Sequence, residues 1–122
     1  MSALVDTNVL VYRHDPRDPA KQRVAQALLR EGLQQEVLRI PHQAVIEFVQ
    51  AVTRPVIRGG AGLLTRAEAL REAEELLAQF EILYPTESLL RTAIRAVAAY
   101  QLGWFDAHMW AYAEHYGLDE IL

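Results

Sequence analysis

Ala3-Leu4-Val5-Asp6-Thr7-Asn8-Val9-Leu10 is the stretch that decides how this 122-residue chain folds. Three apolar residues, enough for a short buried strand, run into the carboxylate of Asp6. Asp6, Thr7 and Asn8 then supply small polar side chains of the kind that start helices. In a parallel α/β sheet such a junction lies at the carboxyl edge of a strand, where ligands bind. The runs Val37–Ile40 and Ile82–Tyr84 have the same short, bounded character and are read as further strands. Helical patterns separate them. Val24, Ala25, Leu28, Leu29 and Leu33 form one apolar stripe. Thr65-Arg66-Ala67-Glu68 reads as a capping box that opens a helix through Phe80, with the stripe Leu70, Ala73, Leu77 and Phe80. Thr86 is expected to cap a helix with the stripe Leu90, Ala93, Ile94 and Val97, which Gly103 is expected to end. Strand and helix signals that alternate in this way predict a parallel sheet covered on both faces.

The remaining pattern fits one domain over residues 1–122, with no repeat or linker. Arg54–Gly62, holding Pro55, Gly59, Gly60 and Gly62, is the clearest loop. Asp119-Glu120-Ile121-Leu122 looks like the start of another strand, so the C-terminal strand and tail are expected to be incomplete.

Composition narrows the function classes. A hydrophobic fraction of 52% with 23% charged residues is that of a globular domain. The apolar runs are far shorter than the roughly 20 residues of a membrane span, and no secretory signal opens the chain. A cytoplasmic protein with no membrane partner is the expectation. The absence of cysteine excludes disulfides, thiol nucleophiles and cysteine zinc sites. Twelve basic residues against sixteen acids give a net charge of −4, which argues against coating nucleic acid by bulk charge. It leaves room for an enzyme that meets phosphates through a bound cation. Lys21 is the only lysine, so the basic set is almost entirely arginine, a residue suited to phosphate and carboxylate partners.

Asp6, Glu47 and Asp106 are the candidate catalytic and metal-binding residues, and each has an ordinary structural reading beside the chemical one. Asp6 or Thr7 could simply cap the helix that follows. Glu47 shares helical spacing with Gln43, Gln50 and Arg54, as on a solvated stripe, yet it is the only charge from Gln43 to Thr53. Asp106 is placed as an N-cap, with Phe105 and Trp110 as a hydrophobic staple across it. Taken together the three acids mean more. Carboxylates about 4 Å apart repel by roughly 4 kcal/mol at an effective dielectric near 20, so a trio calls for a cation. Mg²⁺ or Mn²⁺, a hard ion that accepts carboxylates and water, suits such a set. No helical or strand period links positions 6, 47 and 106, so spacing alone does not bring them together.

The sequence resembles the PIN-domain family, in particular the VapC-type toxin ribonucleases of toxin–antitoxin pairs. The likeness lies in Leu4-Val5-Asp6-Thr7-Asn8-Val9-Leu10, Ile46-Glu47-Phe48, Trp104-Phe105-Asp106-Ala107 and the tail Ala113–Leu122, and it spans essentially the whole chain. It implies a PIN-like three-layer α/β/α sandwich around a parallel sheet of four to five strands. It also implies an Mg²⁺- or Mn²⁺-dependent endoribonuclease that acts on RNA, forms a homodimer and is silenced by a cognate antitoxin. Asp6, Glu47 and Asp106 fall on the family's metal-site acids, and Thr7 and Asn8 on the polar residues that support the first. The family's fourth acid, just after the last strand, has no counterpart before Leu122. Either a tail beyond it carries that acid or the site has three. An exposed apolar groove for the antitoxin is expected near Arg13, His14 and Arg54–Arg58. His14, His42, His108 and His115 show no metal-ligand spacing and are read as surface or satisfied structural residues.

Rival readings fail on named residues or stay open. An aspartyl-nucleophile phosphatase would want an acid where Asn8 stands, a phospho-receiver would want a late lysine, and no Gly-Lys pair exists for a P-loop. A catalytically reduced PIN-like domain, acting as an RNA- or protein-binding module, is the non-enzymatic alternative.

Overall fold

The structure, a computed structural model, describes residues 2–122. Its elements follow the expected alternation: β1 (Ala3–Leu4), α1 (Thr7–Tyr12), α2 (Pro19–Gln35), β2 (Leu38–Pro41), α3 (His42–Thr53), α4 (Arg66–Gln79), β3 (Glu81–Leu83), α5 (Glu87–Tyr100), α6 (Trp104–Tyr116) and β4 (Glu120–Ile121). All strand pairs are parallel, in the order β3-β2-β1-β4. Ala3 pairs with Leu38 on one side and Glu120 on the other, so this two-residue strand is held on both edges.

Side chains alternate across a strand, and β1 feeds two separate cores. Ala3 and Val5 join Leu38 and Ile40 beneath α1, α2, α3 and α4, where Leu10, Leu29, Phe48 and Leu76 are buried. Leu4 and Leu83 face the opposite way, against Leu89, Ala93 and Ala96 of α5 and Ala107, Ala111 and Tyr112 of α6. These are the outer layers of a three-layer α/β/α sandwich. A Cβ on Gly32 of α2 would collide with the Leu38 side chain, so the missing side chain is what lets α2 sit close on β2.

Caps explain most element boundaries. Thr65 and Glu68 form the expected capping box, and Thr86 accepts a hydrogen bond from the Leu89 amide. Asp18 accepts from the Lys21 amide with Pro19 at the first helical position. Two expectations are corrected at the α5–α6 junction. Gln101, in the left-handed region at φ 54°, ends α5, and Gly103 is instead the N-cap of α6. Asp106 therefore lies inside the first turn of α6, and Phe105 is exposed rather than stapled to Trp110. Gly117, at φ 66°, closes α6 as glycine commonly does.

Three stripes are also rotated from expectation. Leu70 and Leu77 are exposed while Ala69, Leu76 and Phe80 are buried. Leu90 and Ile94 are exposed while Leu89, Ala93 and Ala96 are buried. Val24 is exposed as well, with Ala25 and Leu29 beneath it. The inward positions are largely alanines, which let helices approach closely, and larger residues flank the contact.

Candidate active site

Parallel strands deliver α1 and α3 from the same edge of the sheet, and α6 precedes β4, so it crosses in the opposite sense and brings its first turn back to that edge. The three candidate acids come from these three helices. Asp6 occupies the N-cap position of α1, with extended backbone, yet its side chain makes no cap hydrogen bond. Its carboxylate is therefore not consumed by capping. Burial pushes the Asp6 carboxyl above its ordinary value, and the charges of Glu47 and Asp106 push in the same direction. The backbone amides of Thr7 and Asn8 oppose them. The three acids thus share one electrostatic neighbourhood.

Glu47 is half-buried and held from two sides. The Thr7 hydroxyl donates to Oε2 at 2.7 Å and the Gln43 side-chain amide donates to Oε1 at 2.8 Å. Thr7 is itself buried, one of two buried polar side chains, with Asp15, among the described residues. The solvated-stripe reading of Gln43 and Glu47 is thereby corrected: the two face the start of α1. Sequence reasoning singled out Thr7 but left Gln43 on a stripe, although its i, i+4 spacing to Glu47 was the available signal. Asn8 is exposed at the rim.

Asp106 is exposed, and its Oδ2 lies back toward Gly103, 3.6 Å from where a Cβ on that residue would stand. Among the described residues, no three His, Cys, Asp or Glu side chains lie close enough together to hold a metal ion as they stand. Asp6 and Glu47 are drawn together through Thr7, while Asp106 stays at the rim. Arg39, Arg91, Arg17 and Arg13 are all taken up in ion pairs with acids other than these three. Among the described residues, no ion pair includes Asp6, Glu47 or Asp106.

Of the four histidines, His14 departs from the expectation of a surface or satisfied residue. It follows Arg13, the C-cap of α1, and both approach Glu72 of α4 at 3.8 Å. Arg13 Nε and His14 Nε2 are buried without a hydrogen-bond partner among the described residues. Burial lowers the proton affinity of both. His108 Nδ1 meets the Trp104 carbonyl oxygen at 2.8 Å, and the His42 ring lies 5.5 Å from that of Tyr84.

Fold and site together define a class of three-layer α/β/α domains that carry acids at the carboxyl edge of a parallel sheet. Within that class the chain belongs to the PIN-domain family, whose pattern matches residues 3–121. No curated protein matches it by sequence. Among solved structures it is similar to Mycobacterium tuberculosis VapC20, described as a sarcin–ricin-loop-cleaving toxin. The TM-score is 0.77 at 16% identity, over 98% of this chain and 87% of that one. A toxin–antitoxin complex from Klebsiella pneumoniae aligns with TM-score 0.69 and 19% identity, over 99% and 85% of the two chains. VapBC2 from Rickettsia felis, bound to a DNA fragment from its promoter, aligns with TM-score 0.69 and 12% identity, over 100% and 86%. At these identities the likeness concerns the fold.

Proposed function

We propose that the chain is a divalent-metal-dependent endoribonuclease, the toxin of a toxin–antitoxin pair, with Asp6, Glu47 and Asp106 as its catalytic and metal-binding acids. The observation that carries the reading is Asp6: at a capping position but without a capping bond, and raised in proton affinity by burial first and then by the other two acids. Membership of the PIN-domain family and the fold shared with VapC toxins support it.

The donor set fits Mg²⁺ or Mn²⁺ in chemistry, since it is made of hard carboxylate oxygens with no nitrogen or sulfur among them. Asp6 and Asp106 would hold the ion directly, and Glu47 directly or through water. When bound, such an ion neutralises charge on a phosphodiester and lowers the pKa of a water. The chain's own contribution is orientation. Thr7 and Gln43 fix the Glu47 carboxylate, Val5 and Leu10 anchor Asp6 from either side in the core, and exposed Asn8 can meet the substrate at the rim. RNA is the proposed substrate and a homodimer the proposed assembly. An antitoxin segment is proposed to use the apolar groove between α1 and α2, lined by Val9, Tyr12, Val24, Ala25 and Leu28. That groove is lined by residues of α1 and α2, not by Arg13, His14 or the Arg54–Arg58 loop. No described helix is long and apolar enough to cross a membrane.

Incubation of the protein with a sarcin–ricin-loop hairpin RNA and Mn²⁺ tests the reading. Cleavage abolished by EDTA and by Asp6→Asn is expected. Cleavage that survives either treatment refutes it. The open arrangement of Asp106 favours a second reading, a binding module without activity. Tight RNA binding by the wild type with no cleavage at any Mn²⁺ concentration would select it.

A further inference from the structure

Resting on the nuclease reading, we propose that Gln43 is a positioning residue: its side-chain amide and the Thr7 hydroxyl hold opposite oxygens of Glu47, so that the carboxylate is fixed in orientation while its full charge remains available to a cation.

Three observations carry this. First, the two donors come from different elements, Gln43 one turn before Glu47 on α3 and Thr7 at the start of α1, forty positions away. An ionised carboxylate has two lone pairs on each oxygen. One donor on each side fixes the plane of the group and leaves an acceptor position free on both oxygens. Second, both donors are uncharged. A lysine or arginine in place of Gln43 would cancel the charge that a cation needs, and the ion pairs of this domain lie elsewhere, on Glu72, Asp15, Glu81 and Glu87. Third, Gln43 is itself half-buried in the first turn of α3, and its carboxylate partner is also held from α1, so this is not an ordinary i, i+4 pair on a helix surface.

Calorimetric titration of MnCl₂ into the metal-free protein tests the proposal, together with hairpin-RNA kinetics. Gln43→Met keeps length and removes the donor. The expected result is Mn²⁺ affinity reduced by about tenfold or more, as for partners that orient metal ligands. A matching fall in kcat with KM unchanged, and a Tm within about 3 °C of wild type, complete it. Should Gln43→Met fail to fold, Gln43→Ala is read by the same criteria. Wild-type affinity and kcat in the folded variant would overturn the proposal alone. Absence of Mn²⁺ uptake by the wild type would overturn the nuclease reading, and this one with it.

Discussion

Replacing Thr7 with valine removes one hydroxyl, keeps the volume, and separates a structural role of the Thr7–Glu47 bond from a purely chemical one. The bond is short, 2.7 Å, and its acceptor is a carboxylate. Hydrogen bonds to charged groups contribute about 1.5–3 kcal/mol. Thr7 is buried, but Glu47 is only half-buried, so water can take over part of the vacated acceptor. The low end applies, about 1.5 kcal/mol. For a domain of this length that corresponds to a fall in Tm of about 6 °C. Thr7→Ser keeps the donor but removes one buried methyl, which costs about 0.8 kcal/mol and so should lower Tm by about 3 °C. Thermal denaturation followed by circular dichroism in EDTA measures it without any bound cation. If Thr7→Val melts with the wild type, the bond contributes nothing to the fold, and the argument that α1 and α3 are tied through Glu47 is wrong.

Two further outcomes follow from the same geometry. Asp6 has a folded proton affinity above that of the free side chain, chiefly through burial and then through Glu47 and Asp106. Such a group gives its full stability below its unfolded pKa of 3.8 and loses it as pH rises through the raised folded value. In EDTA, Asp6→Asn should therefore melt at or above the wild type at neutral pH, with the gap closing below pH 3.8, whereas a lower Tm at neutral pH would make Asp6 a structural cap after all. Saturating Mn²⁺ should reverse the order, raising wild-type stability by about 2.7 kcal/mol at a hundred times Kd. Gly62→Ala should cost about 1–3 kcal/mol by chemical denaturation, because the added Cβ would stand 2.5 Å from the Val52 carbonyl oxygen and 2.7 Å from the Thr53 carbonyl carbon.

Much of this was legible in the sequence where local chemistry decides. The Thr65–Glu68 box, the Thr86 cap and the short apolar runs depend on neighbours a few positions away, and each element formed within a residue or two of its expected place. What was not legible depends on which side of a helix meets the rest of the protein. Reading stripes by size picked Leu70, Leu77, Leu90 and Ile94, but close packing here selects Ala69, Ala93 and Ala96. An alanine weighs little in a hydrophobic pattern and much in a tight contact. The candidate site divides in the same way. Asp6 and Thr7 announce themselves because a strand ends there, whereas the hold of Thr7 on Glu47 spans forty positions that no local period connects.

The way β4 lies beside β1 has a practical consequence for handling the protein. The Asp119 amide meets the Ser2 carbonyl oxygen at 3.3 Å and the Leu122 amide meets that of Leu4 at 2.8 Å, so the two strands advance side by side. Leu122 stands level with Val5, one residue short of Asp6, so whatever is joined after it leaves the sheet beside that carboxylate. A polyhistidine purification handle at the C-terminus would hang over the carboxylates and offer imidazoles to any titrated cation.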